Sequence, residues 1–183
     1  MSNNMLHQLS EGIEHGEVLR ITYQELLSEI VRERWHGACH SSSAILYLLL
    51  AEQGLEPTLC IGEVHSGIYR FDHSWVEVDG LIYDAAVGYP QENEGMYVSP
   101  PVFASADMEE GMPTHLKYGL PGSLAEDGLL VANSDLDEYS ELQPAEYEIW
   151  TVAEEIADRM GLAMCCSELR QKYGAIRRTL RGC

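Results

Sequence analysis

The sequence predicts an α+β domain. Three observations carry this: apolar residues at helical spacing over residues 22–53, strand-like alternation around an Asp-Gly turn over 57–86, and a return to helical periodicity after residue 145. A chain of 183 residues can bury one core and is short for two. We therefore read 1–183 as a single domain with a core over 22–87, an acidic loop-rich insertion over 88–144 and C-terminal helices over 145–181.

Residues 1–35 read as helical. Thr22-x-x-Glu25 has the form of a capping box. Leu26, Leu27, Ile30 and Val31 follow at helical spacing, which predicts a helix ending near Trp35, where Gly37 can break it. Residues 38–53 read as a second helix. Its stretch from Ala44 to Ala51 is apolar on every face and must be buried on several sides; Gly54 stops it. Strands are expected at Thr58–Val64, Tyr69–Val78 and Leu81–Ala85, and Asp79-Gly80 between the last two is a strong hairpin signal. Segment 88–144 holds most of the prolines and a single Lys or Arg, Lys117. It reads as loop, with short strands near Met96–Ser99 and Gly128–Ala132, and is either a functional rim or a surface insertion. Beyond it, Ile149, Val152, Ala153, Ile156 and Met160 define an apolar helix face that Gly161 ends, and a shorter helix follows. The basic tail residues Arg170, Lys172, Arg177, Arg178 and Arg181 are expected to dock on the acidic body.

The candidate nucleophile is Cys39, in the first turn of a buried helix, where free N–H groups favour a thiolate. Strand alternation puts His73, Trp75 and Glu77 on one face. With Asp79-Gly80 as the turn, Val76 faces Tyr83 and Trp75 faces Asp84. Asp84 is then the diagonal neighbour of His73, with α-carbons roughly 7–8 Å apart. A carboxylate there can accept the Nδ1 proton and orient the ring. Val76, Val78, Leu81 and Tyr83 take the opposite face and can pack on a core.

These residues resemble the transglutaminase-like branch of the papain-like fold. The carriers are Cys39 at a helix start, the helix ending in Ala51-Glu52-Gln53-Gly54, the strand Cys60-Ile61-Gly62, His73-Ser74-Trp75-Val76-Glu77-Val78 and the following Tyr83-Asp84. Among members, small bacterial ones such as lasso-peptide leader proteases are the most similar. The resemblance implies a catalytic helix packed on an antiparallel sheet and a Cys39-His73-Asp84 triad. That triad forms an acyl-enzyme from a peptide-like amide and passes it to water or an amine. It also implies an oxyanion hole that includes the Cys39 N–H. Glu33 stands where papain-type enzymes carry a glutamine donor, so Trp35 and Gln24 are the alternative donors, and Trp75 is a further substrate-side candidate. His40 follows Cys39 where an aromatic residue is usual, and no calcium loop is recognisable.

Three other readings compete. His36, Cys39 and His40, with His65 and His73, could bind a metal, although Gly37 interrupts the helical spacing. The domain could be an inactive scaffold, or an arylamine acetyltransferase, which normally has a longer chain. No cofactor or metal motif is recognised. The formal charge of −19 opposes nucleic-acid and anionic-membrane binding and favours basic substrates. No apolar run approaches the roughly 20 residues of a membrane span, and Met1–Ser10 lacks the form of a secretory signal. Five cysteines without a paired spacing fit free thiols in a reducing compartment, so a cytoplasmic location is expected.

Overall fold

The computed structural model describes residues 3–67, 69–91, 98–144 and 148–182. Helices α1 (Asn3–Ser10), α2 (Gly16–Arg32) and α3 (Cys39–Glu52) precede strands β1 (Thr58–Ser66), β2 (Tyr69–Val78) and β3 (Leu81–Tyr83). A 3-10 turn, Ala86–Gly88, leads to β4 (Val102–Phe103), β5 (Ala106–Asp107), β6 (Lys117–Leu120), α4 (Glu126–Asn133) and α5 (Leu136–Glu141). Helices α6 (Ile149–Met160) and α7 (Cys166–Tyr173) and strand β7 (Thr179–Arg181) complete the described chain. The architecture is α+β, and no described helix is long and apolar enough to cross a membrane.

The main sheet runs β3-β2-β1-β6 in antiparallel order, with β7 added to β1 in parallel. Strand β1 gives one whole edge to β2 and divides the other between β7 and β6. The close approach of β7 explains Gly62, because a Cβ there would lie 2.8 Å from the Arg181 carbonyl oxygen. Helix α3 packs on α2, α6 and β2, and Ile45, Leu48 and Leu49 have no exposed surface, as its all-round apolar stretch requires. Leu59, Ile61, Val76 and Val78 face this helical core, whereas Cys60, Val64, Trp75 and Val102 form a smaller cluster.

The hairpin has the expected register, with Val76 opposite Tyr83 and Val78 opposite Leu81. Asp79 and Gly80 take φ of 51° and 77°, the left-handed pair that matches strand twist in a two-residue turn. Strand β3 ends at Tyr83, and Asp84 continues it only as a bridge to Val102.

Several expectations need correction. Thr22 does not cap a helix: it lies buried inside α2, where its hydroxyl accepts from Gln53 Nε2 at 2.8 Å. The strand expected at Gly128–Ala132 is part of α4, and Val98 and Ser99 lie in no strand; Met96 and Tyr97 are outside the described residues, as is Cys183. Segment 88–144 is not a peripheral loop, since β6 belongs to the main sheet. The basic tail does dock on acidic groups, with Lys172 on Glu52 at 2.6 Å, Arg170 on Glu141 at 3.1 Å and Arg181 on Glu77.

Candidate active site

Cys39 is the first residue of α3. Ala38, at the N-cap, offers no side-chain acceptor, and the first-turn N–H groups have no intrahelical partner. His73 faces the thiol from the hairpin, with Asp84 behind it. His73 Nε2 lies 2.7 Å from Asp84 Oδ2, and both side chains are buried. The pair uses Nε2 rather than the expected Nδ1. The outer ring nitrogen reaches the diagonal carboxylate, which leaves Nδ1 for the sulfur. Cys39 and His73 line one cleft of about 670 Å³, with Phe71 edge-on to the imidazole at 5.5 Å.

Asp84 is held at every polar atom the hairpin leaves open. Its backbone exchanges two 2.8 Å hydrogen bonds with Val102, and its carbonyl accepts from Tyr23 OH at 3.0 Å. Oδ1 accepts from the Val87 N–H at 3.1 Å, and Oδ2 from Tyr118 OH at 2.9 Å as well as from His73. Tyr118 lies on β6, so segment 88–144 completes the carboxylate's surroundings.

The electrostatics favour an ion pair. Burial alone disfavours a Cys39 thiolate, but the charge and hydrogen bonding of His40 and His73 outweigh it and hold the thiol well below its usual value. Burial likewise opposes a charged His73, yet the Asp84 carboxylate and the Cys39 sulfur raise it to about 10. Cys60 contrasts with this: burial and Glu77 push it up to about 12, as befits an inert core thiol.

A second cleft, about 710 Å³, adjoins the first and shares Gly37, His40 and Gln91 with it. Trp35 lines it, but its indole N–H is sealed from solvent and has no acceptor among the described residues. It is not presented to a substrate carbonyl. Gln24 lines neither cleft; its side chain accepts from Arg20 at 3.2 Å on α2. Trp75 is buried in the smaller cluster, donating to Glu77 at 3.0 Å and packing on Tyr118, so it supports the sheet rather than the cleft. Glu33 pairs with Arg32. Of the histidines considered as metal ligands, His36 meets the Pro90 carbonyl, His65 pairs with Glu63, and His40 and His73 flank the sulfur.

Sequence reasoning missed the places of three residues at the site. His40 lines the Cys39 cleft and helps to lower the thiol pKa, and its Nδ1 lies 2.7 Å from Ser74 Oγ. Tyr118 orients Asp84. Arg178 is buried, donates to the His40 carbonyl at 3.0 Å and stacks over Tyr139 at 4.4 Å, with no acidic partner among the described residues. Strand alternation could have flagged Ser74 as facing α3; the other contacts join distant segments. Comparison with family models, curated proteins and solved structures returned no match.

Proposed function

We propose that the protein performs cysteine-dependent acyl transfer or hydrolysis on a peptide-like amide, in the manner of transglutaminase-like enzymes of the papain-like fold. The observation that carries this reading is the buried His73–Asp84 pair, 2.7 Å apart, whose imidazole lines one cleft with the Cys39 thiol at the start of α3. The Cys39 thiolate adds to the amide carbonyl, forming the C–S bond and moving the π electrons to oxygen. The tetrahedral adduct then collapses, and His73 passes its proton to the departing amine. Water or a second amine attacks the acyl-enzyme as His73 takes up its proton, and Cys39 leaves as thiolate. Asp84 keeps the ring oriented throughout. No step requires a cofactor. The cleft beside Cys39 carries Glu63, Asp72 and Asp127 against a single arginine, Arg70, so a peptide with basic residues is the favoured substrate. Free thiols at Cys39, Cys60, Cys165 and Cys166 suit a reducing compartment such as the cytoplasm.

The test is the rate of iodoacetamide alkylation against pH, with the modified cysteine identified by mass spectrometry. Wild-type Cys39 should react fast well below the ordinary thiol value of about 8.5, and His73→Ala should move its midpoint upward. Cys39→Ala gives the background from the other thiols. An ordinary profile at Cys39, unaffected by His73→Ala, would leave the domain as a scaffold and remove the enzyme reading.

A further inference from the structure

The acyl-transfer reading lacks a second oxyanion donor, because Glu33 is a carboxylate, Gln24 is remote and the Trp35 N–H is sealed. We propose that His40 fills this place, donating from Nε2 to the oxyanion formed on the substrate carbonyl beside the Cys39 N–H. The inference rests on the triad reading and goes beyond it.

The placement comes from two neighbouring residues of β2. His73 points to Asp84 on one face of the strand, and Ser74 points to α3 on the other. Ser74 is buried, and its hydroxyl has one hydrogen-bond partner among the described residues, His40 Nδ1. A buried O–H needs an acceptor. In the neutral ring that demand is met only if Ser74 donates to Nδ1, and the hydrogen of the imidazole is then on Nε2. In the protonated ring Nε2 carries a hydrogen as well. So His40 presents an N–H from Nε2 in either state, and with Nδ1 taken by Ser74 that nitrogen is the one available to the sulfur and to an oxygen formed beside it.

The position suits the task. His40 lines both clefts, including the one that holds Cys39, and its charge and hydrogen bonding act on the sulfur. Its backbone is fixed by the buried Arg178, which donates to the His40 carbonyl at 3.0 Å. Ser41, next in the turn, is tied to Tyr139 OH at 2.8 Å. A donor held this firmly needs little reorganisation when charge develops on oxygen. Residue 40 directly follows the nucleophile in the first turn of α3, and its ring lines the same cleft as Cys39.

The experiment separates an oxyanion donor from a group that merely tunes the thiolate. Iodoacetamide reacts with Cys39 by displacement at carbon and forms no oxyanion. p-Nitrophenyl acetate acylates it through a tetrahedral oxyanion. Both need the thiolate, so the ratio of acylation to alkylation rate cancels its population. We expect His40→Ala to lower that ratio by roughly 10²–10³, His40→Gln to recover part of the loss through its amide N–H, and Ser74→Ala to lower it several-fold. Circular dichroism checks folding, and if His40→Ala is unfolded the Gln and Ser74 variants decide. Equal losses in both reactions, or no loss in either, would overturn the proposal. A wild-type protein in which Cys39 reacts with neither reagent would instead overturn the triad.

Discussion

At the scale of single residues, Asp84 shows what the site asks of its surroundings. A carboxylate bound by a backbone N–H, a tyrosine hydroxyl and an imidazole has no freedom to rotate. Its charge also keeps His73 protonated up to about 10. The sign follows directly: a raised histidine pKa means the imidazolium, and the ion pair it forms with Cys39, is lost only as pH climbs through that value. Asp84→Asn should therefore move the alkaline loss of the ion pair to lower pH. The same variant should slow p-nitrophenyl acetate acylation by roughly 10³–10⁴, the scale of a lost orienting carboxylate. Tyr118→Phe removes one hydrogen bond to the charged carboxylate, worth about 1.5–3 kcal/mol, and should slow acylation by up to roughly a hundredfold, less than Asp84→Asn. Stopped-flow acylation across pH 5–11 reads both.

At the scale of elements, the molecule separates local signals from distant ones. The β2–β3 hairpin is legible because the Asp-Gly turn and the two-residue alternation lie within a few positions of each other, and both survive in the fold. Helix α3 is legible because its apolar stretch is too continuous for a one-sided element. Helix α4 is hidden for the opposite reason. Its N-cap, Ala125, has no side-chain acceptor, and the Ala125 N–H is met instead by Asp72 Oδ2 of β2 at 2.6 Å. Gly128 looks like a strand or loop residue in sequence, yet it is the gap that admits this carboxylate: a Cβ there would lie 2.3 Å from Asp72 Oδ2. The capping pattern misleads in the same way. Thr22-x-x-Glu25 sits inside a helix, whereas Asp135-x-x-Glu138 makes both bonds of a true capping box at α5. Gly128→Ala tests the account. Despite alanine's better helix propensity, it should lower stability by about 1–3 kcal/mol in urea unfolding, because the Asp72 cap must move.

At the scale of the whole molecule, the grouping of Cys39, His73 and Asp84 is legible in the sequence but its supports are not. Cys39, His73 and Asp84 fall within one helix and one hairpin. Tyr118, Tyr139 and Arg178 arrive from chain segments whose strands and helices are too short to announce themselves by periodicity. Charge works at this scale too. With a formal −19 and carboxylates around the cleft, basic peptides should be drawn in electrostatically. Acylation by a basic peptide ester should then slow as salt rises from 0.05 to 0.5 M, whereas p-nitrophenyl acetate, being neutral, should show little change; equal salt responses would remove the steering idea. The Asp79–Gly80 turn has a consequence of its own. Side chains on a strand alternate, so the site obeys a parity rule. His73 and Asp84 meet because the pairing of Val76 with Tyr83 and Val78 with Leu81 brings both to the same side of the hairpin, while Ser74 is sent to the other. A slip of that pairing by one residue would preserve a hairpin yet deal the carboxylate to the wrong side. The tight, solvent-facing turn that pins the pairing is thus tied to the chemistry at the thiol.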